Sequence, residues 1–319
     1  MLTVFMLAAI FTSCKKDGET TDTTETEAPA TEPAPELDLY EVSATAAQLS
    51  VMTFNVTDSG MNDTRLSLIV ETIAEYMPDI VGLQECSVET KDYLMQKLGG
   101  YYEYVGIGRD ANGEGLSAAI LYAKEKMTLT ESGTKWLSNT PNEVSSLDGT
   151  RINYTYTWAK FKLNDGTEFM HVNTQFGDKP EIREKQARMI LDFMWENKDI
   201  ASVVTGDFNC SPKTKEFQIM MQEFMRHAYD VTANKSTGSY DVANIQDTFL
   251  IYDKYMDVTY FAVENDRIDG QYASSSRAMY IELKIDYNGT EYEESVDGPG
   301  PEVKVDRDGQ NFSPFIPFH

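Results

Sequence analysis

Four apolar segments of the sequence end in polar side chains whose oxygen atoms could bind a metal ion. Asn and Asp are common where a strand passes into a turn, so one such ending alone would predict only a turn. Four endings on separate strands predict more, because strand ends that point the same way in a layered fold lie close together. Carboxylate and carboxamide oxygens are the ligands that Mg²⁺ prefers, so the set predicts a phosphoester site assisted by Mg²⁺ or Mn²⁺. The residues are Asn55, Glu85, Asn173 with Gln175, and Asp207 with Asn209.

The hydrophobic pattern predicts the elements that position these residues, because it alternates between the spacing of strands and that of helices. Many strands with few interspersed helices favour an α+β fold in which two sheets stack face to face with helices outside. The predicted strands are 49–56, 79–85, 117–123, 127–133, 153–163, 168–176, 202–209, 256–263 and 277–285, and the predicted helices are 66–77, 181–198 and 213–225.

The motifs around the polar strand ends resemble the endonuclease/exonuclease/phosphatase superfamily. Gly-Asp-Phe-Asn at 206–209 matches a motif of that superfamily, and the resemblance covers about residues 49–285. It implies the four-layer α/β/β/α sandwich of two mixed sheets found in deoxyribonuclease I. The sequence is also similar to a secreted bacterial branch of the superfamily. The other segments that carry the resemblance are 52–56, 83–85, 256–261, 108–110, 136–138 with Pro141, and Arg151 with 157–159.

The resemblance implies a role for each polar residue at the strand ends. Glu85 would be the main metal ligand, with Asn55 and Asp207 completing the metal site, and Asp207 would also orient or deprotonate the attacking water. Asn209 would contact the phosphate. The remaining positions that the resemblance assigns to catalysis are Asn173, Gln175 and Ser276.

Two motifs depart from the pattern of the superfamily. Gln175 stands where the superfamily has a His, and Ser275 and Ser276 stand where it has an Asp-His pair. Gln and Ser donate hydrogen bonds but cannot supply a proton near pH 7, and a His general acid or base contributes about 10²–10⁴-fold to a rate. Two functions therefore remain open: a phosphoester hydrolase with reduced activity, or a degenerate enzyme that acts as a surface binding protein for a phosphorylated ligand.

Three further residues could carry chemistry or be part of the core. His171 lies on the same predicted strand as Asn173, and it is either a displaced substitute for the missing His or a polar residue packed inside the sheet. Cys86 and Cys210 directly follow Glu85 and Asn209. Neighbouring side chains on a strand point to opposite faces, so we expect both cysteines to be small buried apolar residues, with a soft-metal or redox role as the alternative.

The two ends of the chain differ in composition from the domain between them. Residues 1–14 read as a signal peptide with a lipobox that ends at Cys14, which would be lipidated; the alternative is a plain cleaved signal peptide. Residues 15–47 form an acidic Thr/Glu/Pro tether that is too polar to fold, residues 48–286 form the domain, and residues 287–319 form an acidic tail. We therefore expect an extracytoplasmic lipoprotein that contacts the membrane only through its lipid.

The charge of the chain limits its partners. The 52 acidic and 27 basic residues give a net charge of −25. Sequence-independent binding to nucleic acid needs Lys and Arg to replace counterions, so an extracellular nuclease is the least favoured hypothesis, although a metal ion could offset the charge. We expect the ligand to be a small phosphorylated molecule or a phospholipid headgroup, and the chain to act as a monomer.

Overall fold

The computed structural model of the chain describes residues 47–57, 62–221, 225–238, 240, 242, 247–252, 255–264 and 270–287. The predicted signal peptide, the tether and the acidic tail lie outside the described residues, apart from Ala47 and Tyr287. In this described part of the chain, no helix is both long and apolar enough to cross a membrane.

Strands outnumber helices along the described part of the chain, as the hydrophobic pattern predicts. The strands are β1 Ala47–Asn55, β2 Ile80–Cys86, β3 Tyr102–Val105, β4 Ser117–Ala123, β5 Met127–Trp136, β6 Thr155–Leu163, β7 Glu168–Gln175, β8 Ser202–Asp207, β9 Met225–His227, β10 Lys235–Ser236, β11 Asp247–Tyr252, β12 Met256–Val263 and β13 Met279–Ile285; the α-helices are α1 Asp63–Tyr76, α2 Val88–Leu98, α3 Pro180–Glu196, α4 Lys215–Met220 and α5 Ala228–Val231.

The strands form two mixed sheets. The seven-stranded sheet has the order β10-β12-β13-β1-β2-β4-β3, and the six-stranded sheet has the order β5-β6-β7-β8-β11-β9. Parallel pairs join β1 with β2, β7 with β8, and β10 with β12, whereas the other neighbours are antiparallel. In each of the parallel pairs β1–β2 and β7–β8, both strands therefore end at the same edge of the sheet. This places the polar residues at those strand ends side by side.

Three buried apolar clusters separate four layers, which confirms the predicted α/β/β/α sandwich. The first cluster fills the space between the sheets and includes Val51, Ile80, Phe169 and Val203. The second packs α3 and α4 on the six-stranded sheet, and the third packs α1 and α2 on the seven-stranded sheet. Strand alternation explains the arrangement, because successive residues of one strand face either the other sheet or a helix layer.

The structure differs from the predicted elements in a few places. Helix α2 was not predicted because it buries only Thr90 and Leu94, so its apolar periodicity is weak. The helix predicted over 213–225 ends at Met220 as α4, and the chain then pairs with β11 as β9 from Met225. Pairing with a distant strand overrides local propensity there, and β11 itself was missed as well.

Candidate functional site

The polar strand ends meet across the two sheets, as the sequence predicts. Asn55 Nδ2, at the end of β1, donates a hydrogen bond of 2.7 Å to Asp207 Oδ2 at the end of β8. Gln175 Nε2, at the end of β7, donates a bond of 2.7 Å to Glu85 Oε1 on β2. Each bond joins one sheet to the other, so the four side chains form a single cluster where the sandwich opens.

Glu85 reaches this cluster through a local distortion of β2. The ladder between β2 and β4 is regular up to Leu83 and shifts register before Cys86. Glu85 lies inside that bulge with a φ of 55°, in the left-handed region that residues with a Cβ atom rarely adopt. Bulges and left-handed residues re-aim side chains at functional sites, and this one leaves the Glu85 side chain half-buried in the cluster.

Asp207 is the most enclosed carboxylate of the site, at 5% exposure. Burial raises the pKa of its carboxyl group above the ordinary value, and the negative charge of Glu85 raises it further, against the lowering effect of hydrogen bonds from Asn209, Asn55 and Gln175. Among the described residues, no Lys, Arg or His forms a salt bridge with Asp207 or Glu85. Two neighbouring carboxylates without a cationic partner favour the binding of a cation.

The donor atoms of the cluster fit Mg²⁺ or Mn²⁺. The available ligands are all oxygens: the carboxylates of Glu85 and Asp207, and Oδ1 of Asn55, which accepts a hydrogen bond of 2.9 Å from the Thr57 amide and keeps a second lone pair. The described residues contain no group of three or more His, Cys, Asp or Glu that could enclose a metal ion. Mg²⁺ needs no such group, because it binds one or two protein carboxylates and retains several waters.

Asn209 connects the ends of β7 and β8. Its backbone amide donates to Asp207 Oδ1 at 3.0 Å, and its Nδ2 donates to the Phe176 carbonyl at 2.7 Å. The residue has a left-handed φ of 49°, which turns the chain sharply after the strand. Because Nδ2 carries two hydrogens, the second one is free of these contacts and can donate to a ligand oxygen.

Asn173, which the family resemblance assigns to catalysis, lies buried between the sheets and not in the open cluster. It is fully buried, and its Nδ2 donates to the carbonyls of Leu83 and Ala119 at 2.8 and 2.7 Å. Its Oδ1 accepts bonds from Gln84 and Thr205. Since all its polar atoms are used between the sheets, Asn173 has none left for a substrate.

The serine segment lies beside the end of β1. Ser274 Oγ donates to the Asn55 carbonyl at 2.7 Å, and the Ser276 amide points to Ser274 Oγ at 3.4 Å. Ser276 is half-buried and Ser275 is exposed. The segment is therefore next to Asn55, which itself contacts Asp207.

The two histidines in the described part of the chain lie away from the cluster. His171 is fully buried between the sheets, its Nε2 lies 2.8 Å from Thr205 Oγ1, and burial lowers its pKa to about 3. His171 is therefore a polar residue packed inside the sheet and not a displaced substitute for the missing His. His227 packs against Phe217 and Tyr229 and contacts Asp230. Cys86 and Cys210 are both buried, as predicted.

Sequence reasoning missed two residues at the edge of the site. Burial raises the pKa of the Tyr154 hydroxyl; the negative charges of Asp178, Asp207 and Glu85 add to that rise, whereas the Arg109 guanidinium lowers the pKa. Tyr154 therefore lies within electrostatic reach of both carboxylates and of one cation. The motif at 108–110 was the only signal in the sequence for Arg109.

Comparisons with known proteins agree with this geometry. A model of the Endonuclease/Exonuclease/phosphatase family matches residues 52–223, more than half of the chain. Similar solved structures include an endonuclease/exonuclease/phosphatase from Bacteroides vulgatus, which is 26% identical, with a TM-score of 0.69 over 75% of this chain and 100% of that chain. No curated protein matches the chain.

Two structures from Bacteroides thetaiotaomicron share the fold at lower identity. An endonuclease/exonuclease/phosphatase family protein is 22% identical, with a TM-score of 0.70 over 76% of this chain and 99% of that chain. A mannosyl-6-phosphatase is also 22% identical, with a TM-score of 0.67 over 74% of this chain and 99% of that chain.

Proposed function

The chain belongs to the Endonuclease/Exonuclease/phosphatase family, and we propose that it is a divalent-metal-dependent phosphoester hydrolase with reduced activity. One observation carries this proposal: the carboxylates of Glu85 and Asp207 lie together at the open end of the sandwich, hydrogen-bonded to amides and not to cations. Such an arrangement favours a divalent cation and, beside it, an anionic ligand.

Three residues would hold Mg²⁺ or Mn²⁺: Glu85, Asp207 and Asn55. A bound cation would supply charge stabilisation at the phosphoryl oxygens. Asp207 would orient the attacking water and accept its proton, because it is the carboxylate enclosed beside the proposed metal ion. Asn209 would donate the free hydrogen of its Nδ2 to the phosphate.

The reduced rate follows from Gln175 and Ser276, which occupy the positions where the superfamily pattern has histidines. Neither side chain can carry a proton to a leaving group near neutral pH. Gln175 donates to Glu85 and so stabilises the carboxylate without providing an acid. The expected loss for each missing acid–base group is about 10²–10⁴-fold.

The substrate that we propose is a small phosphorylated molecule or a phospholipid headgroup. The similar mannosyl-6-phosphatase supports a sugar phosphate among these. Arg109, whose charge acts on the Tyr154 hydroxyl, is suited to an anionic group. The net charge of −25 opposes a long nucleic acid.

A second candidate function is a binding protein for the same phosphorylated ligand. The observation that favours it is that no His lies in the cluster among the described residues, since Gln175 and Ser276 stand where the superfamily pattern has histidines. A cation and a phosphate could still bind to Glu85, Asp207 and Asn209, because binding requires charge and hydrogen bonds but no proton transfer.

Metal titration and hydrolysis together test the proposal. Calorimetry with Mn²⁺ should show binding to the wild type and at least about 10-fold weaker binding to Glu85→Gln, which loses a charged ligand. Glu168→Gln, at the opposite end of β7, is the matched control and should bind as the wild type does. Equal binding by both variants would mean that the site lies elsewhere.

Hydrolysis of synthetic phosphomonoesters and phosphodiesters separates the two functions. Slow, Mn²⁺-dependent turnover that disappears in Asp207→Ala supports the hydrolase. Metal binding with no turnover above that of Asp207→Ala supports the binding protein.

We further propose that Cys14 carries a lipid that anchors the domain outside the cytoplasmic membrane. The apolar run that ends at Ser13-Cys14 and the acidic segment beyond it support this proposal. A fatty-acid probe should label the wild type and the control Cys210→Ser, whose cysteine is buried, but not Cys14→Ser. Labelling of Cys14→Ser at the level of the wild type would contradict it.

A further inference from the structure

A layer of buried polar residues lies directly beneath the candidate site. Thr53, Thr205 and Asn173 each precede a site residue of their own strand by two positions, and Gln84 precedes Glu85 by one. All four are fully buried. Because alternate residues of a strand share a face, three of them point between the sheets, like the site residue that follows.

Asn173 is the centre of this layer. Its Oδ1 accepts from Gln84 Nε2 at 2.6 Å and from Thr205 Oγ1 at 2.9 Å, while its Nδ2 donates to the carbonyls of Leu83 and Ala119 at 2.8 and 2.7 Å. A carboxamide has two hydrogens and two lone pairs on its oxygen. All four are used, so the orientation of this side chain is fully determined.

His171 adds one more hydrogen bond to this layer, and the donor and acceptor of that bond can be assigned. Thr205 has one hydroxyl hydrogen, and it points to Asn173 Oδ1, which can only accept. The contact of 2.8 Å between His171 Nε2 and Thr205 Oγ1 therefore requires Nε2 to carry the hydrogen. The neutral imidazole thus donates to Thr205, which donates to Asn173.

Gly82 allows Asn173 to cross from the six-stranded sheet to β2. A Cβ atom at this position would lie 2.1 Å from Thr205 Oγ1 and 2.7 Å from Asn173 Oδ1. Any side chain here would therefore force the two polar groups away from the strand. A glycine inside a strand commonly marks such a close approach.

The contacts of Asn173 coincide with the bulge that carries Glu85. Leu83 and Ala119 form the last regular pair before the register shifts, and the ladder resumes at Cys86 and Ser117. Both carbonyls of that last regular pair accept from the one amide group of Asn173. The bulge begins at the next residue, and Glu85 within it has the left-handed φ of 55°.

We propose that Asn173 is a positioning residue: by binding the carbonyls of Leu83 and Ala119, it holds the β2 bulge and so fixes the Glu85 carboxylate for the metal ion. This inference rests on the proposed function, because it assigns Glu85 as a metal ligand. A left-handed Glu is unfavourable by itself, so the conformation persists only while its surroundings impose it.

The first test compares Asn173→Ala with Thr157→Val. Thr157 pairs with Asn173 in the β6–β7 ladder, is fully buried, and contacts the Thr134 hydroxyl, which lies on β5. We expect both variants to melt at lower temperature than the wild type. Only Asn173→Ala should bind Mn²⁺ about 10- to 100-fold more weakly, which is the usual effect of removing a group that orients a ligand. Equal Mn²⁺ affinity of the two variants, well below their melting temperatures, would overturn the inference.

Thr205→Val keeps the test decisive if Asn173→Ala does not fold. This isosteric change removes one of the two donors to Asn173 Oδ1 and the acceptor of the His171 hydrogen bond, and it leaves the bonds to Leu83 and Ala119. We expect a smaller loss of Mn²⁺ affinity, of a few-fold. Wild-type affinity in Thr205→Val would overturn the inference.

A crystal structure of the metal-free Asn173→Ala or Thr205→Val variant separates this inference from the proposed function. We expect Glu85 of Asn173→Ala to leave the left-handed region, and Glu85 of Thr205→Val to show higher mobility than in the wild type. Retention of the wild-type Glu85 conformation and order would overturn the positioning role, whatever the titrations give. If the wild type binds no Mn²⁺ but Glu85 moves in Asn173→Ala, the proposed function fails and the positioning role stands.

Discussion

The space between the two sheets has two halves that the same strands build in different ways. In the apolar half, Leu49 and Val51 of β1 pack with Phe169 of β7 and Val203 of β8. Farther along the same inner faces, the residues become Thr53, His171, Asn173 and Thr205, all buried and hydrogen-bonded. The polar half then ends at Asn55, Gln175 and Asp207, where the sandwich opens.

The apolar half contributes stability to the fold, whereas the polar half contributes a fixed arrangement of side chains. Apolar burial is non-directional and scales with area, so the first half stabilises the sandwich without fixing any one atom. A hydrogen bond adds only about 0.5–1.5 kcal/mol net, but a buried polar group that loses its partner costs about 1–3 kcal/mol. The polar half therefore adds little stability and permits few arrangements, which suits the support of a site.

The largest expected effect on stability is in the apolar half. Phe169→Ala should lower the free energy of unfolding by about 3–5 kcal/mol, because it removes a fully buried aromatic ring and leaves a cavity. Mn²⁺ affinity of the folded variant should remain that of the wild type, although Phe169 is only four residues from Asn173. Urea unfolding and calorimetry measure the two quantities. A loss of metal affinity in Phe169→Ala would mean that the two halves are not separable.

The second effect concerns the open end of the polar half. Gln175→His/Ser275→Asp/Ser276→His should raise metal-dependent phosphodiester hydrolysis by at least about 10²-fold, the lower limit for one general acid–base group. Such a gain corresponds to about 2.7 kcal/mol of barrier. The three changes are made together because proton transfer and phosphate neutralisation act as one unit.

Controls decide what the triple variant means. The gain should disappear when Asp207→Ala is added. A triple variant that folds, binds Mn²⁺ and shows no gain would favour the binding protein. A wild type that is already fast would mean that another group supplies the proton.

Much of this division into an apolar and a polar half could be predicted from the sequence. The strands concerned are apolar over most of their length and polar at their carboxyl ends, and the sequence shows this order directly. Asn55, Glu85, Gln175 and Asp207 were predicted to meet, and they do. The two mixed sheets and the helix layers follow from the same pattern and from the family motifs.

The role of Asn173 could not be predicted from spacing. A strand pattern tells which face a residue occupies, but not whether its side chain stops at the cleft or crosses to the other sheet. Gly82 inside an apolar strand was the available signal for a close approach. The bulge at Glu85 depends on contacts with β4 and β7, which local sequence does not encode.

The third effect is a pH dependence that arises in the polar half. Burial lowers the pKa of His171 from the ordinary 6.5 to about 3 in the folded state. Between these values only the unfolded chain binds the proton, so stability should fall as the pH falls, by up to about 1.4 kcal/mol per pH unit. Above pH 6.5 the contribution of His171 is fully present.

His171→Gln isolates this contribution, since Gln can still donate a hydrogen bond to Thr205. The difference in unfolding free energy between wild type and variant should change with that slope below pH 6.5 and be flat above it. Burial raises the pKa of Asp207, so its effect on the pH dependence of stability has the opposite sign. Both proteins contain Asp207, so this effect cancels in the difference. A difference that is independent of pH would mean that His171 has the same pKa in the folded and the unfolded chain, and so that burial does not lower it.

The smallest effect comes from a reciprocal pair on β1, where Val51 and Thr53 lie on one face, two residues apart, in the two halves. Both are fully buried. Val51→Thr places a hydroxyl among apolar side chains and should cost about 1–3 kcal/mol. Thr53→Val removes the oxygen that accepts from Gln84 Nε2 at 3.0 Å and should cost about 0.5–1.5 kcal/mol, but it alone should weaken Mn²⁺ binding. Urea unfolding and calorimetry on the two isosteric variants measure both effects. If Val51→Thr lowered the metal affinity and Thr53→Val did not, the support of the site would lie in the apolar packing and not in the hydrogen-bonded layer beneath it.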